Sequence, residues 1–201
     1  MSPVVVLVLM AQLGAVERLQ QAVTAGIRAG VFPGAAVVVG TRDSILLARG
    51  YGHLTWSPGS PVPDPDSTIY DLASLTKVVA TTPAIMVLVE RGRVSLDRPV
   101  RDYLSEFAGP AKDAVTVRNL LAHDSGLRAS LRLDTLARNA AEARRVVFSE
   151  PLRWTPGSHV EYSDLNAMLL GWIVERVSGQ PLDRFVADQV LTPVGDRKSV
   201  V

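Results

Sequence analysis

The order of the predicted elements is the feature that most constrains the fold. A helical pattern comes first, two strand patterns follow, and the later segments are mostly of helical spacing. The strands, Ala35 to Val39 and Ile45 to Tyr51, are joined by a turn at Gly40 to Asp43 and predict an antiparallel hairpin. Two strands alone leave an unpaired edge and a half-covered face. The sequence therefore predicts an α/β architecture of the α+β type, with a helical lobe and a sheet that is unfinished here.

Most of the predicted helices are bounded by their own start and stop signals. The second helix is mostly apolar and should be buried on most sides, and Pro83 inside it should kink it or end it early. The predicted helices are Leu13 to Ala29 before Gly30, Ser74 to Arg91, Val117 to Ala122 after Thr116, Leu133 to Val147, Asn166 to Ser178 before Gly179, and Leu182 to Leu191 after Pro181.

The two ends of the chain are interpreted separately from one predicted domain at residues 13–195. Residues 1–12 contain an apolar run, Val4 to Met10, far shorter than the about 20 residues of a membrane-spanning helix, so no transmembrane segment is predicted. The run is interpreted as a short buried strand, a disordered start or the remnant of an export signal. A periplasmic or otherwise exported location is favoured slightly, and a cytoplasmic one stays open.

The last six residues, 196–201, read DRKSVV. One DNA run that encodes them resembles a common sequencing adapter. We therefore expect residues 196–201 to be a non-native tail and the natural protein to continue past Gly195.

Charge and composition argue against several classes of function. The formal net charge is +1 and basic residues are scattered, so no nucleic-acid partner is expected. The absence of cysteine excludes a disulfide framework, a thiolate metal site and a cysteine nucleophile. The three histidines lack metal-binding spacing, and there is no glycine-rich phosphate loop, so neither a metal nor another cofactor is expected. The sequence predicts no oligomeric state.

A serine and a lysine one helical turn apart are the first candidates for chemistry. Ser74 opens a predicted helix, where free backbone N–H groups and the helix dipole favour developing negative charge. Lys77 lies three residues further along the same face. Its amine can accept the serine proton, provided that burial or a neighbouring cation lowers the lysine pKa. The spacing alone is weak evidence, since an ordinary helix start with a solvated lysine has the same pattern.

Several ordered motifs resemble the β-lactamase and penicillin-binding superfamily, in its class C-like branch. The stretch YDLASLTK, ending at Lys77, resembles the first active-site motif, S-x-x-K. Tyr162-Ser163-Asp164 resembles the second motif, Y-x-N, and VRNLLAHDSGL, residues 117–127, resembles the helix and loop usually written LLxHTSGL. Further landmarks match in the same order: Phe32 to Ala35, Pro156-Gly157 and Leu169 to Gly171. The resemblance covers roughly Leu13 to Gly195.

This resemblance implies a β-lactamase-like serine hydrolase fold, C-terminally truncated, and covalent catalysis. Ser74 would attack a carbonyl to form an acyl-enzyme, Lys77 and Tyr162 would move the protons, and water would release the acid. The Ser74 N–H would supply one oxyanion donor. In the family the second donor and a K-T-G-like third motif lie on a later strand, and this sequence contains no K-T-G or H-T-G. The 201-residue chain is therefore expected to be inactive or nearly so, and its full-length parent active.

Other residues near these motifs leave alternatives open. Asp164 stands where the family has asparagine, and an ionised carboxylate can only accept hydrogen bonds. It is a candidate for substrate binding, for pairing with Lys77 and raising its pKa, or for capping the following helix. Asn166 is a candidate for the missing amide donor. His123 is expected to be a structural loop residue, and Tyr162 could instead be a core aromatic.

Three functions remain in competition. The leading one is an acyl-serine hydrolase for small molecules, with esters or other amides ranked before β-lactams and D-alanyl peptides, because Asp164 weakens the case for the latter two. The alternative is a catalytically silent member that binds a ligand or partner in the same cleft. A helical structural protein is the third, and it predicts that Ser74, Lys77 and Tyr162 lie far apart.

Overall fold

A computed structural model of the chain describes the backbone of residues 3–196 and the side chains of residues 14–196. Within that part, the chain forms two compact units that divide between Asp71 and Leu72. The predicted tail at 196–201 lies outside the described residues except for Asp196, and so do residues 1 and 2 of the predicted N-terminal segment.

The first unit contains one helix and one hairpin, as predicted. Helix α1, Pro3–Arg28, contacts strands β1, Gly34–Gly40, and β2, Ile45–Gly52. The strands pair antiparallel with Gly34 opposite Gly52, which confirms the predicted hairpin. The interpretation of Val4 to Met10 as a strand is wrong, because the backbone of this run belongs to α1. No breaker separates it from the amphipathic segment, and extending a helix costs far less than nucleating a new element. The interpretation of residues 1–12 as an export-signal remnant or a disordered start stays a prediction.

The second unit opens with helix α2, Ala73–Glu90, whose geometry changes along its length. A 3-10 turn at Ala73–Leu75 is followed by a π-helical turn at Lys77–Thr81 and then by the α-helix Thr82–Glu90. Pro83 does not end this helix, so the prediction of an early end is wrong. Pro83 lies in the first turn of the regular α-helix, where a missing N–H is tolerated, and the π turn before it absorbs the change in hydrogen bonding.

The remaining helices of the second unit are mostly short. They are α3, Val117–Ala122, α4, Leu133–Leu136, α5, Ala140–Ser149, α6, Asp164–Ser178, and α7, Leu182–Val186, which continues as a π-helical turn over Ala187–Leu191. The capping box that Thr116 forms with Asn119 confirms the predicted start of α3. Gly179 ends α6 in a left-handed conformation, as expected for a C-terminal glycine.

The prediction of a single helix from Leu133 to Val147 is wrong. Ala137 is extended, and a new helix starts after Asn139. The Asn139 side chain accepts a hydrogen bond from the backbone N–H of Glu142 at 2.9 Å. An asparagine in this position caps the N-terminus of a new helix. The backbone therefore breaks here, although the apolar periodicity of the sequence continues across the break.

Helix α6 is the centre of the core in the second unit. Leu165, Leu169 and Ile173 on this helix are fully buried, and α2, α3 and α7 all contact it. Burial of such side chains contributes roughly 1.5–3 kcal/mol each. The N-terminal ends of α2 and α6 carry Ser74 and Asp164, so packing of these helices fixes the residues of interest.

Helix α2 is long and apolar enough to cross a membrane by length and composition alone, among the residues that the structure describes. That is weak evidence, because core helices of water-soluble proteins pass the same test. Its Ala80, Ala84, Ile85 and Leu88 are buried within the core cluster of the second unit.

Candidate active site

Ser74 lies in the first turn of α2, directly after a residue in an unusual conformation. Ala73 has a φ of 44°, in the left-handed region that residues with a Cβ rarely adopt. Strained backbone of this kind costs roughly 1–3 kcal/mol and persists where the surroundings enforce it, often at functional sites. The strain immediately before Ser74 is therefore consistent with a serine held in a fixed place for chemistry.

Lys77 joins Ser74 to two other side chains. Its Nζ donates a hydrogen bond to Ser74 Oγ at 3.0 Å and lies 2.7 Å from Asp164 Oδ1. The same Nζ lies 5.0 Å from the centre of the Tyr162 ring. The structure thus brings together all four residues selected from the sequence. The wide separation that a purely structural helical protein predicts is not found.

Backbone pairing between two loops fixes the segment that carries Tyr162. The loop that follows α3 accepts hydrogen bonds from the chain ahead of α6 along its length. The N–H of Gly157 donates to Asp124 O at 2.8 Å, that of Glu161 to His123 O at 2.8 Å, and that of Asp164 to Ala129 O at 2.8 Å. The loop after α3 is therefore the scaffold that holds Tyr162 and Asp164 in register.

His123 supports this segment from inside. Its Nδ1 accepts the backbone N–H of Ser163 at 3.0 Å, and its ring centre lies 4.7 Å from that of Tyr162. Because Nδ1 is an acceptor, the proton of the neutral ring is on Nε2. Burial lowers the pKa of His123, and the positive charge of Lys77 lowers it further against the opposing effect of Asp164. These contacts give His123 the structural position that the sequence favoured, although its packing on Tyr162 was not foreseen.

Asn166 is buried, and its amide is engaged inside the protein. Its Oδ1 accepts a hydrogen bond from Ser125 Oγ at 2.6 Å, and its Nδ2 lies 3.2 Å from His123 Nδ1. It therefore supports the loop after α3 and does not fill the place of an amide donor on the open side of the site. The sequence did not predict the contact between Ser125 and Asn166, because the two residues lie 41 positions apart. Only Ser125 belongs to a recognised motif, S-G-L.

Asp164 is the first residue of α6 and does not cap it with its side chain. The capping position is Ser163, whose Oγ instead donates to Arg128 O at 2.6 Å. A carboxylate in the first helical turn is stabilised by the helix dipole. The Asp164 carboxylate is thus free of a capping bond and forms the ion pair with Lys77. Of the three roles considered from the sequence, pairing with Lys77 is the one seen in the geometry.

The electrostatics of Lys77 oppose the condition under which it would accept a proton. Partial burial by itself lowers the pKa of Lys77, but hydrogen bonds and charge interactions with Asp164 and Tyr162 outweigh burial and raise the pKa above its ordinary value. The ammonium form is therefore favoured. The expectation that a lowered pKa makes Lys77 the proton acceptor for Ser74 does not fit this arrangement.

Tyr162 is shifted in the opposite direction. Hydrogen bonds with Ser74 first and Lys77 second lower the pKa of the phenol, which is 53% exposed. Both partners favour the phenolate, since hydrogen bonding to the charged form stabilises it. The site thus pairs a stabilised ammonium with a phenol that loses its proton more readily than usual. Among the described residues, no group of three or more histidine, aspartate or glutamate side chains could hold a metal ion.

Comparison with known proteins gives this geometry a context. A curated protein of Escherichia coli O157:H7, provisionally named a D-alanyl-D-alanine carboxypeptidase, is 33% identical, over 90% of this chain and 46% of its own length. Among solved structures, EstCE1, described as a hydrolase with promiscuous acyltransferase activity, has a TM-score of 0.79 at 25% identity, with 92% of this chain and 53% of its own covered.

A second solved structure is a penicillin-binding protein homologue from Pyrococcus abyssi, octameric by its description. It has a TM-score of 0.75 at 27% identity, over 90% of this chain and 43% of its own. The chain therefore spans about half the length of the relatives that it matches. The family model described as Beta-lactamase matches residues 19–200. The fold is the β-lactamase-like fold, and the chain belongs to the beta-lactamase family.

Proposed function

We propose that this chain carries the acylating residues of a serine hydrolase that acts on esters or amides, with Ser74 as the nucleophile. The observation that supports it most is the position of Lys77 Nζ, 3.0 Å from Ser74 Oγ and 2.7 Å from Asp164 Oδ1, beside Tyr162. A nucleophile, a titratable acceptor and a fixed charge within contact distance are the elements of covalent catalysis.

The proton of Ser74 passes to the phenolate form of Tyr162 as the serine oxygen bonds to the substrate carbonyl carbon. The lowered pKa of Tyr162 supports this direction of transfer, because a catalytic base works best when its pKa is near the working pH. Tyr162 then donates the proton to the leaving group, and water attacks the acyl-enzyme in the second half-reaction. Lys77 stays an ammonium and stabilises the phenolate electrostatically.

Asp164 acts in this scheme as a positioning residue for Lys77. Its carboxylate keeps the ammonium charged and directed at Ser74, and an acceptor-only group that is already paired is a poor ligand for a substrate carbonyl. We therefore place esters first among the substrates, ahead of β-lactams and D-alanyl peptides. Because the sequence has no K-T-G or H-T-G, we expect stoichiometric acylation of the 201-residue chain to be easier to detect than turnover.

The substitution Asp164→Asn is expected to lower the pKa of Lys77, since the ion pair that raises it is removed. If the ammonium is the working form, the rate of Ser74 labelling falls as pH rises through the Lys77 pKa. The variant then loses labelling at a lower pH than the native chain does, on the alkaline side of the profile. The measurement is the labelling rate across pH, together with an NMR titration of the Lys77 Nζ.

The opposite protonation state predicts a different profile. A neutral Lys77 acting as base would give a rate that rises through its pKa, and Asp164→Asn would then speed labelling at neutral pH. Asp183→Asn, an exchange of the same kind at the start of α7, is the matched control and should leave the profile unchanged. A labelling rate that rises through the Lys77 pKa, in step with the NMR titration in both the native chain and Asp164→Asn, would show that Tyr162 is not the acceptor.

Labelling with a fluorescent fluorophosphonate and with a fluorescent penicillin tests the function itself. We expect at least the fluorophosphonate to label the chain, and Ser67→Ala, at an exposed serine, to leave labelling intact. Labelling of this chain by neither probe would favour a silent binding member. Labelling that survives Ser74→Ala would contradict the assignment of the nucleophile.

A further inference from the structure

A second site is indicated by an open cavity in the second unit. The cavity has a volume of about 950 Å³ and lies among residues 106–112, α5 and α6. Ligand pockets for small molecules have roughly 300–1,000 Å³, so the space suits a compact organic molecule. None of its lining residues belongs to the group around Ser74.

One wall of the cavity is a cation stacked on two aromatic rings. The Arg144 guanidinium carbon lies 4.9 Å from the Trp172 ring centre and 6.0 Å from that of Phe148. The two rings contact each other edge to face, with centres 5.2 Å apart. A guanidinium over aromatic rings is attracted to their faces, and its N–H groups can still bind a carboxylate. The wall thus offers an anchored positive charge beside an apolar surface.

The positive charge at this wall is only partly neutralised. Among the described residues, the one carboxylate within ion-pair distance of Arg144 is Glu175, at 3.5 Å, and Glu175 also accepts the backbone N–H of Leu182. The other lining carboxylate, Glu106, is paired with Arg176 at 3.0 Å. Arg145 and Lys112 also line the cavity, so three lining cations face two lining carboxylates, and the exposed Arg145 has a further partner in Glu142 at 3.8 Å.

Lys112 adds a buried charge at the same place. Its side chain is more than nine-tenths buried and donates a hydrogen bond to Phe148 O at the end of α5. Burial lowers the pKa of Lys112, against a smaller opposing effect of Glu150. The Lys112 ammonium also lies 5.2 Å from the centre of the Phe107 ring. Burial of an amine is costly, and a ligand that brings negative charge nearby would offset part of that cost.

We propose that this cavity binds a small carboxylate with a flat apolar body, with Arg144 holding the carboxylate edge-on. The apolar body would lie against the half-buried ring of Trp172, beside the Arg144 guanidinium. The inference is independent of the proposed hydrolase activity, because it uses no residue of the Ser74 group.

The test is calorimetric titration of the chain with naphthalene-2-carboxylate. We expect saturable binding, and binding about tenfold or more weaker for naphthalene-2-carboxamide, which keeps the rings and loses the charge. Arg144→Gln should weaken binding of the carboxylate by about tenfold or more. Arg132→Gln, at an exposed arginine paired with Asp134 outside the cavity, is the matched control and should bind as the native chain does.

The outcomes decide between this site and others. Absence of saturable binding, equal affinity for the carboxylate and the carboxamide, or equal weakening by Arg132→Gln would overturn the proposal. Binding that disappears after phosphonylation of Ser74 would place the probe in the hydrolase site and would also overturn it. If Arg144→Gln lowers the melting temperature too far for titration, two other measurements decide instead. They are the ratio of the affinities of the native chain for the carboxylate and the carboxamide, and the affinity of the Arg145→Gln variant for the carboxylate.

Discussion

Replacing Tyr162 with phenylalanine is expected to slow fluorophosphonate labelling of Ser74 by about 10²–10⁴-fold, the usual contribution of a positioned acid or base. In this reaction the serine oxygen bonds to phosphorus, fluoride leaves, and the serine proton must go to an acceptor. The phenol oxygen is that acceptor in our scheme, and its lowered pKa reflects hydrogen bonds with Ser74 and Lys77. Phenylalanine keeps the ring against His123 and removes only the oxygen.

The matched control for this substitution is Tyr51→Phe. The Tyr51 hydroxyl is buried and has no hydrogen-bond partner among the described residues, so its removal should cost little stability and leave labelling unchanged. The labelling rate is measured at several pH values as the rise in fluorescence polarisation that follows attachment of the probe to the protein. A rate for Tyr162→Phe within about threefold of the native rate would remove Tyr162 from the proton path.

Replacing Lys77 with methionine is expected to slow labelling at neutral pH by about 10²–10³-fold, the typical loss when one preorganised electrostatic donor is removed. The reason is indirect. Without the ammonium, the pKa of Tyr162 rises, because one of the hydrogen bonds and the positive charge that lower it are gone. The phenolate then forms only at higher pH, so the labelling rate of the variant should recover in part at alkaline pH, up to the level that the native chain keeps once its own Lys77 has lost its proton.

This recovery separates two roles of Lys77. If Lys77 itself accepts the serine proton, its replacement removes the titrating base. The labelling rate would then stay low at every pH. Ultraviolet difference absorbance of tyrosinate, compared between Lys77→Met and the double variant with Tyr162→Phe, gives the phenol pKa directly. Arg118→Met removes a surface ion pair with Asp97 and should change neither measurement. A low rate with no alkaline recovery would return proton acceptance to Lys77.

Local signals predicted the parts of the fold that local chemistry decides. The start of α3 at Thr116 and the end of α6 before Gly179 follow from a side chain that caps a helix and a glycine that adopts positive φ. The hairpin of β1 and β2 follows from two strand patterns separated by a turn. The break at Asn139 was missed because apolar spacing continues across it, although asparagine is itself a capping signal.

The candidate site was predictable as a set of residues and not as an electrostatic arrangement. The S-x-x-K and Y-x-N-like motifs pointed to Ser74, Lys77 and Tyr162, which the structure holds together. The protonation of Lys77 depends on Asp164, 87 positions later in the chain, through the packing of α2 against α6. Such a pKa is set by three-dimensional distance, so the sequence could raise the pairing only as one alternative among several.

The central claim is that Ser74 is the acylated residue, and peptide mass spectrometry of the fluorophosphonate adduct tests it most directly. The chain is treated with the probe, digested, and each serine-containing peptide is examined for the added phosphonyl mass. The account predicts that the adduct is on Ser74 and is lost in Ser74→Ala. An adduct on a different residue, or one whose yield is the same in Ser74→Ala, would contradict it.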